Sequence, residues 1–167
     1  PFISIVVCGL LMTAYKRLLK EFAELKKEKD SNVNLFPDEE NLYQWKGEII
    51  GPFATPFQNC KFSILIKIST TYPLTPPEIL FKSRIFHPNI HPKTGEICLD
   101  ILKQNWTPAW TLINSCRAIL ILLSNPEPNS PLNCDAGNLL RNADNRGFSS
   151  LCKLFSLDHS GNSSVEN

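Results

Sequence analysis

Three predicted β-strands follow one another with only short connections between them, and this spacing limits the fold more than any other feature of the sequence. They span residues 42–50, 61–69 and 78–81. Links this short, rich in Pro and Gly, leave no room for the helical crossover that parallel strands need. The sequence therefore predicts an antiparallel meander. The middle strand alternates between apolar and polar residues. Its predicted buried face comprises Phe62, Ile64, Ile66 and Ile68.

Helical patterns lie on both sides of these strands. Before them, apolar residues recur at three-to-four spacing after Thr13, a candidate cap. Between this helix and the first strand, residues 30–40 are polar and turn-like. The order of elements predicts one α+β domain with no internal boundary. The predicted helices span residues 13–29, 111–124, 135–141 and 148–157.

The two ends of the chain are expected to lie outside this domain, which we place at residues 13–157. Residues 1–12 are an apolar extension that is too short to span a bilayer and lacks the basic region of a signal peptide. Two explanations stay open: translation starts at Met12, or the segment is the remnant of a membrane anchor. Residues 158–167 are predicted to be a polar, frayed tail.

Charge and cysteine content exclude several classes of function. Lys and Arg number 17 against 16 Asp and Glu, so the net charge of +1 gives no general field for nucleic acid, and no such partner is expected. The six Cys contain no C-x-x-C pair and the three His complete no zinc pattern, so no metal site is predicted. A reduced, intracellular protein is expected. The cysteines predicted to be buried are Cys60, Cys116, Cys134 and Cys152.

Cys98 has a different setting from the other cysteines. It lies in a short apolar segment after Gly95, within a stretch of rigid turns (residues 86–110) that holds two of the three His and two of the three Trp. We expect no nearby Lys or Arg to make its thiol strongly acidic, and there is no local Cys-His-Asn hydrolase signature. These features favour a thiol that accepts an acyl group by thioester exchange and does not pass it to water.

Four neighbouring residues are candidates for supporting roles. Asn89 either donates to an oxyanion or braces its turn. Asp100 lies two residues after Cys98, on the same side of an extended segment, and either orients an attacking amine or is a surface acid. His87 is predicted to be structural and His91 to be exposed.

Three motifs follow one another around Cys98, namely His87-Pro88-Asn89, Gly95 to Leu102 and Trp106-Thr107-Pro108-Ala109. Taken together and in this order, they resemble the core of the ubiquitin-conjugating enzymes (E2 class), with Tyr72 to Pro77 and the loop 126–132 in corresponding places. The resemblance covers nearly the whole chain from about Thr13. It implies an α+β fold with an N-terminal helix, a four-stranded antiparallel meander and C-terminal helices.

The resemblance also implies an activity. Cys98 would take the carboxyl end of ubiquitin from the activating enzyme as a thioester and pass it to a substrate amine, usually with a RING-type ligase. Asn89 would act as the oxyanion or loop-organising residue, with Asp100 and Ser130 as active-site support. No cofactor is expected, because ATP is consumed upstream by the activating enzyme. The residues expected to contact the ligase and the activating enzyme are Leu74, Pro108 and Ala109.

Within the family, Trp106 to Trp110 and Ser130 to Arg141 look most like the peroxisomal branch. That branch acts on a Cys of the import receptor to allow receptor recycling, and a membrane-bound co-activator recruits it. The resemblance thus implies a cytoplasmic protein, peripheral on the cytosolic face of the peroxisomal membrane. Two other readings stay open, namely a catalytically silent ubiquitin-binding scaffold of this fold and a conjugator of another ubiquitin-like modifier.

Three positions depart from the family pattern. Phe86 stands where many members have Tyr, so a hydroxyl contact is lost. Ser130 lacks the charge of an acidic gate, which puts help with amine deprotonation in doubt. Arg117 replaces an aliphatic residue on the helix that often packs against the donor ubiquitin, which puts that contact in doubt.

Overall fold

The computed structural model describes residues 2–27 and 30–157, with side chains from Thr13 onward. The chain forms a helix, a four-stranded sheet, a long irregular segment with one 3-10 helix, and three further helices. The helices are α1 (Phe2–Lys27), α2 (Leu112–Ser124), α3 (Cys134–Arg141) and α4 (Asn145–Leu157), and the 3-10 helix is Asp100–Leu102. The strands are β1 (Val33–Pro37), β2 (Gln44–Ile50), β3 (Lys61–Lys67) and β4 (Glu78–Phe81).

The sheet is an antiparallel meander with strand order β1-β2-β3-β4. Its register aligns apolar residues in rows across the sheet: Ile49 lies opposite Val33 on one side and Phe62 on the other. The side chains of β3 alternate as predicted, with Phe62 and Ile66 buried. The predicted fold class is therefore confirmed.

Strand β1 lies in the segment that was expected to be a turn, so that expectation was wrong. Val33 and Leu35 are 3% and 8% exposed, while Phe36 is 60% exposed. Only two side chains of this short strand reach the core, and polar residues flank it on both sides. A period of two is difficult to recognise from two residues, although pairing with β2 along its whole length makes the strand clear in the structure.

Helix α1 begins at Phe2 and not at Thr13. Thr13 lies in the interior of the helix, so its predicted role as a cap was wrong. The face of the helix that meets the core includes Ala14 and Leu18, both fully buried. The predicted helix end at residue 29 and the predicted tail at 158–167 lie outside the described residues. No helix in the described part of the chain has the length and apolar character needed to cross a membrane.

Aromatic contacts join the elements of the core. Phe22 of α1 meets Trp45 of β2 edge to face, with ring centroids 5.8 Å apart. Phe148 of α4 packs against Phe57 and Phe86, at 6.4 Å and 6.0 Å. The irregular segment that carries the candidate nucleophile is therefore packed against α4 through Phe86.

The cysteine expectations were correct at two positions of four. Cys116 and Cys152 are fully buried, and burial raises the pKa of each thiol to about 12, which makes them inert. Cys60 is only half-buried and Cys134 is exposed, so both predictions of burial were wrong. Cys134 is the first residue of α3 and points away from its apolar face.

Candidate active site

Cys98 lies at the end of a short antiparallel bridge between Ile90 and Ile97. Its backbone N–H donates to the carbonyl oxygen of Asn89 at 2.8 Å, and its thiol is half-buried. The turn before it depends on Gly95, which has a φ of +74°, and a Cβ there would lie 1.9 Å from the carbonyl oxygen of Phe81. The candidate nucleophile is thus held on a segment attached to the edge of the sheet.

A basic side chain lies closer to Cys98 than expected. The Nζ of Lys103 is 3.8 Å from the Sγ of Cys98, so the expectation of no nearby Lys or Arg was wrong. The 3-10 helix brings Lys103 back toward the thiol, because the chain turns immediately after Leu99. Five residues of separation in an extended segment would have placed the two side chains far apart.

The side chain of Asn89 joins two loops. It is 2% exposed, and its amide donates to the carbonyl oxygen of Glu127 and accepts from the backbone N–H of the same residue, both at 2.8 Å. The structure therefore shows the bracing contact directly. A role as an oxyanion donor stays a prediction.

Ser130 lies in the loop that Asn89 braces, and it is exposed. The carbonyl oxygen of Pro88 accepts from the backbone N–H groups of Leu132 and Asn133, at 2.8 and 3.0 Å. Both ends of the loop are thus attached to the segment around Asn89. The exposed Ser130 therefore lies between the two attached ends of this loop.

Asp100 is exposed, as the first residue of the 3-10 helix. The extended conformation ends at Leu99, so the alternation argument does not continue as far as Asp100. Its carbonyl oxygen accepts from the backbone N–H groups of Lys103 and Asn105, at 3.0 and 2.9 Å. The Asp100 side chain is thus exposed to solvent, and among the described contacts it makes none with Cys98.

His87 is structural, as predicted. It is fully buried; its Nε2 donates to the carbonyl oxygen of Leu122 at 3.2 Å, and its Nδ1 accepts from the backbone N–H of Asn89 at 3.1 Å. Burial lowers the pKa of His87 to about 4, so the ring is neutral at physiological pH. His91 is half-buried and accepts from the backbone N–H of Thr94 at 3.1 Å, so the expectation of a fully exposed ring was wrong.

His87 predicts a loss of stability in acid. The pKa of His87 is 6.5 in the unfolded chain and about 4 in the folded protein. The contribution of His87 to the free energy of unfolding is therefore complete above pH 6.5 and is lost as the pH falls toward 4. The loss amounts to about 3 kcal/mol of unfolding free energy. Urea unfolding across this window measures it. In His87→Gln, which keeps one donor and one acceptor but does not titrate, this part of the pH dependence should disappear; an unchanged profile would contradict the assignment.

The residues expected to contact partners lie on two neighbouring loops. Leu74 is 64% exposed, and Pro108 and Ala109 are exposed on the segment between the 3-10 helix and α2. Trp106 joins the loops, because its Nε1 donates to the carbonyl oxygen of Pro73 at 2.8 Å. The structure thus brings the three predicted contact residues to one apolar surface, which we call the two-loop surface (Leu74, Pro108 and Ala109).

A buried carboxylate that sequence reasoning missed supports the two-loop surface. Glu21 is 5% exposed, and its Oε1 accepts from Tyr72 and from Arg17, both at 2.6 Å. Its Oε2 accepts from the backbone N–H of Leu112 at 2.8 Å. Arg17 also donates to the carbonyl oxygen of Trp110 at 2.8 Å. In the sequence, Glu21 lies beside the apolar stripe of α1, and this position was the available sign that its carboxylate is buried.

Replacing Glu21 with Gln should destabilise the protein by about 2 kcal/mol, because the amide cannot accept at both positions and one buried donor loses its partner. Burial and the Glu21 carboxylate raise the pKa of Tyr72 far above its usual range, so the phenol is a permanent donor in this network. Chemical denaturation gives the change. Glu24→Gln is the matched control, since the Glu24 side chain is 55% exposed, and its effect should stay within about 0.5 kcal/mol. Equal effects of the two variants would contradict a supporting role for Glu21.

Arg117 makes contacts within the protein. Its Nε pairs with Asp30 at 2.9 Å, and its Nη1 donates to Asn114 at 3.2 Å. The ion pair attaches α2 to the segment before β1. The guanidinium is therefore directed toward the neighbouring segment of this chain, and the exposed apolar residue of α2 is Ile121, at 64%.

The meander, the flanking helices and a half-buried thiol between braced loops define the class of protein. The chain matches the family model described as ubiquitin-conjugating enzyme over residues 17–155, and it belongs to this family of transferases that act through a cysteine thioester.

Its relatives include Protein PEROXIN-4 of Arabidopsis thaliana, 50% identical over 141 residues, which cover 83% of this chain and 90% of the relative. The ubiquitin-conjugating enzyme E2 pex4 of Dictyostelium discoideum is 53% identical over 140 residues, which cover 83% of this chain and 94% of the relative. Among solved structures, the H. polymorpha ubiquitin-conjugating enzyme Pex4p, in complex with the soluble domain of Pex22p, superposes with a TM-score of 0.83. It is 39% identical, and the match covers 86% of this chain and 96% of that one.

Proposed function

We propose that Cys98 carries the ubiquitin thioester. The observation that carries the proposal is its half-buried thiol, on a segment that is hydrogen-bonded to Asn89 through the Cys98 N–H and to β4 through the carbonyl oxygen of Gly95. In the loading step the Cys98 sulfur attacks the thioester carbonyl presented by the activating enzyme. The new C–S bond forms as the old one breaks, and the departing thiol takes up the proton. In the second step an acceptor attacks the same carbonyl.

The surroundings of Cys98 support transfer over hydrolysis. His87 is neutral and fully buried, so it cannot activate water at the thioester. Asn89 holds the loop that carries Ser130 against the active site, and its amide is the candidate donor to the oxyanion. Asp100 and Ser130 are exposed at the mouth, where Asp100 is the only one of the two that offers charge to an incoming amine.

The two-loop surface is the proposed contact for the activating enzyme and for a RING-type ligase. An exposed Leu on a loop that is hydrogen-bonded to its neighbour offers an anchor of the kind that dominates interface energies.

Leu74→Ala should lower the ratio of ligase-stimulated to ligase-free discharge by about tenfold, which corresponds to the loss of one interface anchor. Single-turnover discharge of the preloaded protein, with and without a RING-type ligase, measures the ratio. Phe53→Ala is the matched control, because Phe53 is another exposed apolar loop residue, at 84%. An unchanged ratio for Leu74→Ala would show that Leu74 does not contribute to the contact with the ligase.

We also propose a peroxisomal role. The similarity to Protein PEROXIN-4 and to a Pex4p that was solved with the soluble domain of Pex22p supports it. In this role the protein acts at the cytosolic face of the peroxisomal membrane, with a membrane-bound co-activator, and modifies the import receptor so that it can be recycled. Normal receptor recycling in cells that lack the protein would contradict the role.

One loading experiment tests the central proposal. The protein is incubated with activating enzyme, ubiquitin and ATP, and it should form an adduct that a reducing thiol removes. Loading with a different ubiquitin-like modifier, and not with ubiquitin, would favour the alternative conjugator. Ubiquitin binding without any adduct would favour the silent scaffold.

A further inference from the structure

Helix α3 contacts the loop that carries Ser130 at two points, and neither contact has a part in the transfer described above. The guanidinium of Arg141, the last residue of the helix, donates through Nη1 to the carbonyl oxygen of Pro128. One turn earlier, the backbone of Gly137 lies against the ring of Pro131. Because Pro128 and Pro131 flank Ser130, the helix meets the loop on both sides of this residue.

The contact at Gly137 is too close for any side chain. A Cβ on Gly137 would lie 2.9 Å from the Cβ of Pro131 and 3.3 Å from the Nη1 of Arg141. Gly137 and Arg141 are four residues apart, so they share one face of α3. A glycine at the first of these positions lets this face receive the proline ring while the guanidinium extends to the loop.

The guanidinium of Arg141 is held in place from within the helix. Its Nη2 donates to the Oδ1 of Asn138 at 2.5 Å, while its Nη1 is bound to the loop. A planar guanidinium that is bound through two nitrogens has a fixed direction, which a single ammonium group would not have. The N-cap of α3 is Asn133, whose backbone N–H donates to the carbonyl oxygen of Pro88 at 3.0 Å. The helix that carries Arg141 is thus itself attached to the segment that leads to Cys98.

The loop lies next to the candidate nucleophile. Near its end, Leu132 lines a cleft of about 370 Å³ together with Ile97, the residue before Cys98. Near its start, the backbone of Glu127 is bound to the side chain of Asn89, and the carbonyl oxygen of Asn89 accepts from the N–H of Cys98. The two contacts with α3 are made by the part of the loop between these attachments.

We propose that Arg141 is a positioning residue for the transfer step and that it acts through the backbone of Pro128. The inference rests on the proposed thioester at Cys98. Together with the close contact at Gly137, the hydrogen bond from Arg141 fixes where Ser130 lies relative to the thioester carbonyl. A displaced loop changes the path of an acceptor into the mouth of the active site. A misplacement of about 1 Å can slow a reaction on the order of 100-fold, even when its cause lies outside the reacting centre.

The loading step should depend much less on this arrangement. In that step the sulfur of Cys98 is the attacking group, and its backbone is bound to Asn89 and not to α3. Arg141 is exposed, so its removal leaves no buried donor without a partner. The inference therefore predicts slower transfer from each loaded molecule without a matching loss of loading.

The test compares Arg141→Ala with Gly137→Ala in the full-length protein. Each variant is loaded with ubiquitin, the activating enzyme is stopped by chelating Mg²⁺, and single-turnover discharge to a free thiol or amine is measured per loaded molecule. Arg141→Ala should slow discharge about tenfold. Gly137→Ala removes no charge and favours the helix, but its methyl group displaces Pro131, so it should slow discharge by a similar factor. Arg146→Ala, which removes the same charge from an exposed position of α4, should discharge at the rate of the unsubstituted protein.

Two further measurements distinguish positioning from a contribution to stability alone. Hydrogen exchange should accelerate in Arg141→Ala at the N–H groups of Asn129 and Leu132, which are hydrogen-bonded to Glu127 and Pro88. Arg141→Lys keeps the charge and one donor group, so it should discharge faster than Arg141→Ala and more slowly than the unsubstituted protein. A residue that only stabilised the fold would lower the midpoint of urea unfolding and leave discharge per loaded molecule unchanged.

Three results would overturn the inference while leaving the proposed function intact. Two of them are unchanged discharge in Arg141→Ala and unchanged discharge in Gly137→Ala, each with normal loading. The third is an equally slow Arg146→Ala, because charge and not contact with the loop would then be responsible. Failure of the unsubstituted protein to form any thioester would instead refute the proposed function, and the inference with it.

Discussion

Cys98→Ala is expected to form no thiol-sensitive ubiquitin adduct, with a loss of loading on the order of 10⁶ or to below detection. In the proposed mechanism the sulfur of Cys98 forms the thioester bond, and an alanine side chain offers no nucleophilic atom in its place. Cys98→Ser should instead accumulate an oxygen ester that survives reducing thiols, because the serine ester is a poorer acyl donor. Non-reducing and reducing gels after loading distinguish the three proteins.

Cys134→Ser is the control for this experiment. Cys134 is an exposed free thiol outside the candidate site, so it is more accessible than the half-buried Cys98 but lacks its surroundings. The variant should load as the unsubstituted protein does. A thiol-sensitive adduct that persists in Cys98→Ala and disappears in Cys134→Ser would show that the nucleophile is Cys134 of α3.

Asn89→Ala is expected to slow transfer from the loaded enzyme by about 100-fold and to affect loading much less. The substitution removes two hydrogen bonds to the backbone of Glu127 at a site that is 2% exposed. The loop that carries Ser130 then loses its attachment at Glu127 and, toward the segment of Cys98, keeps only the hydrogen bonds of Leu132 and Asn133 to Pro88. Single-turnover discharge to a free thiol or amine measures transfer, and the decay of the activating enzyme's own thioester measures loading.

The two roles of Asn89 have different consequences for the loop. If the residue braces the loop, hydrogen exchange at the N–H of Glu127 accelerates in Asn89→Ala along with the loss of transfer. A residue that only donates to the oxyanion would lower transfer without changing that exchange. Glu127→Ala is the matched control, because only the backbone of Glu127 contacts Asn89, and it should transfer normally. Normal transfer by Asn89→Ala would exclude both roles.

Much of the fold was predictable because its signals are local. The alternation of β3 and the apolar run of α2 depend only on the order of residues along the chain, and both predictions were confirmed. Strand β1 was missed because Val33 and Leu35 are too few to show a period, and its existence depends on pairing with β2. The start of α1 was misplaced because Thr13 has the chemistry of a cap, while the actual helix continues through it.

The candidate site was predictable to a smaller extent. Cys98 could be singled out as the candidate nucleophile because turns and ordered motifs surround it in sequence. The contact between Lys103 and Cys98 was missed because it depends on a 3-10 turn, and the apolar run in the sequence does not predict such a turn. Glu21 appeared to be one acidic residue on a charged helix, and only the fold reveals that Tyr72 and Leu112 donate to it.

The carboxylate of Glu21 has a consequence for the cost of binding. Through Tyr72, Arg17 and Leu112 it attaches the two loops and the start of α2 to α1. Because these hydrogen bonds already order the loops, a partner that docked on Leu74 would remove less conformational entropy on association than it would from loops without them. Such preorganisation allows a small patch to be recognised quickly and released quickly, as successive partners of a carrier enzyme require.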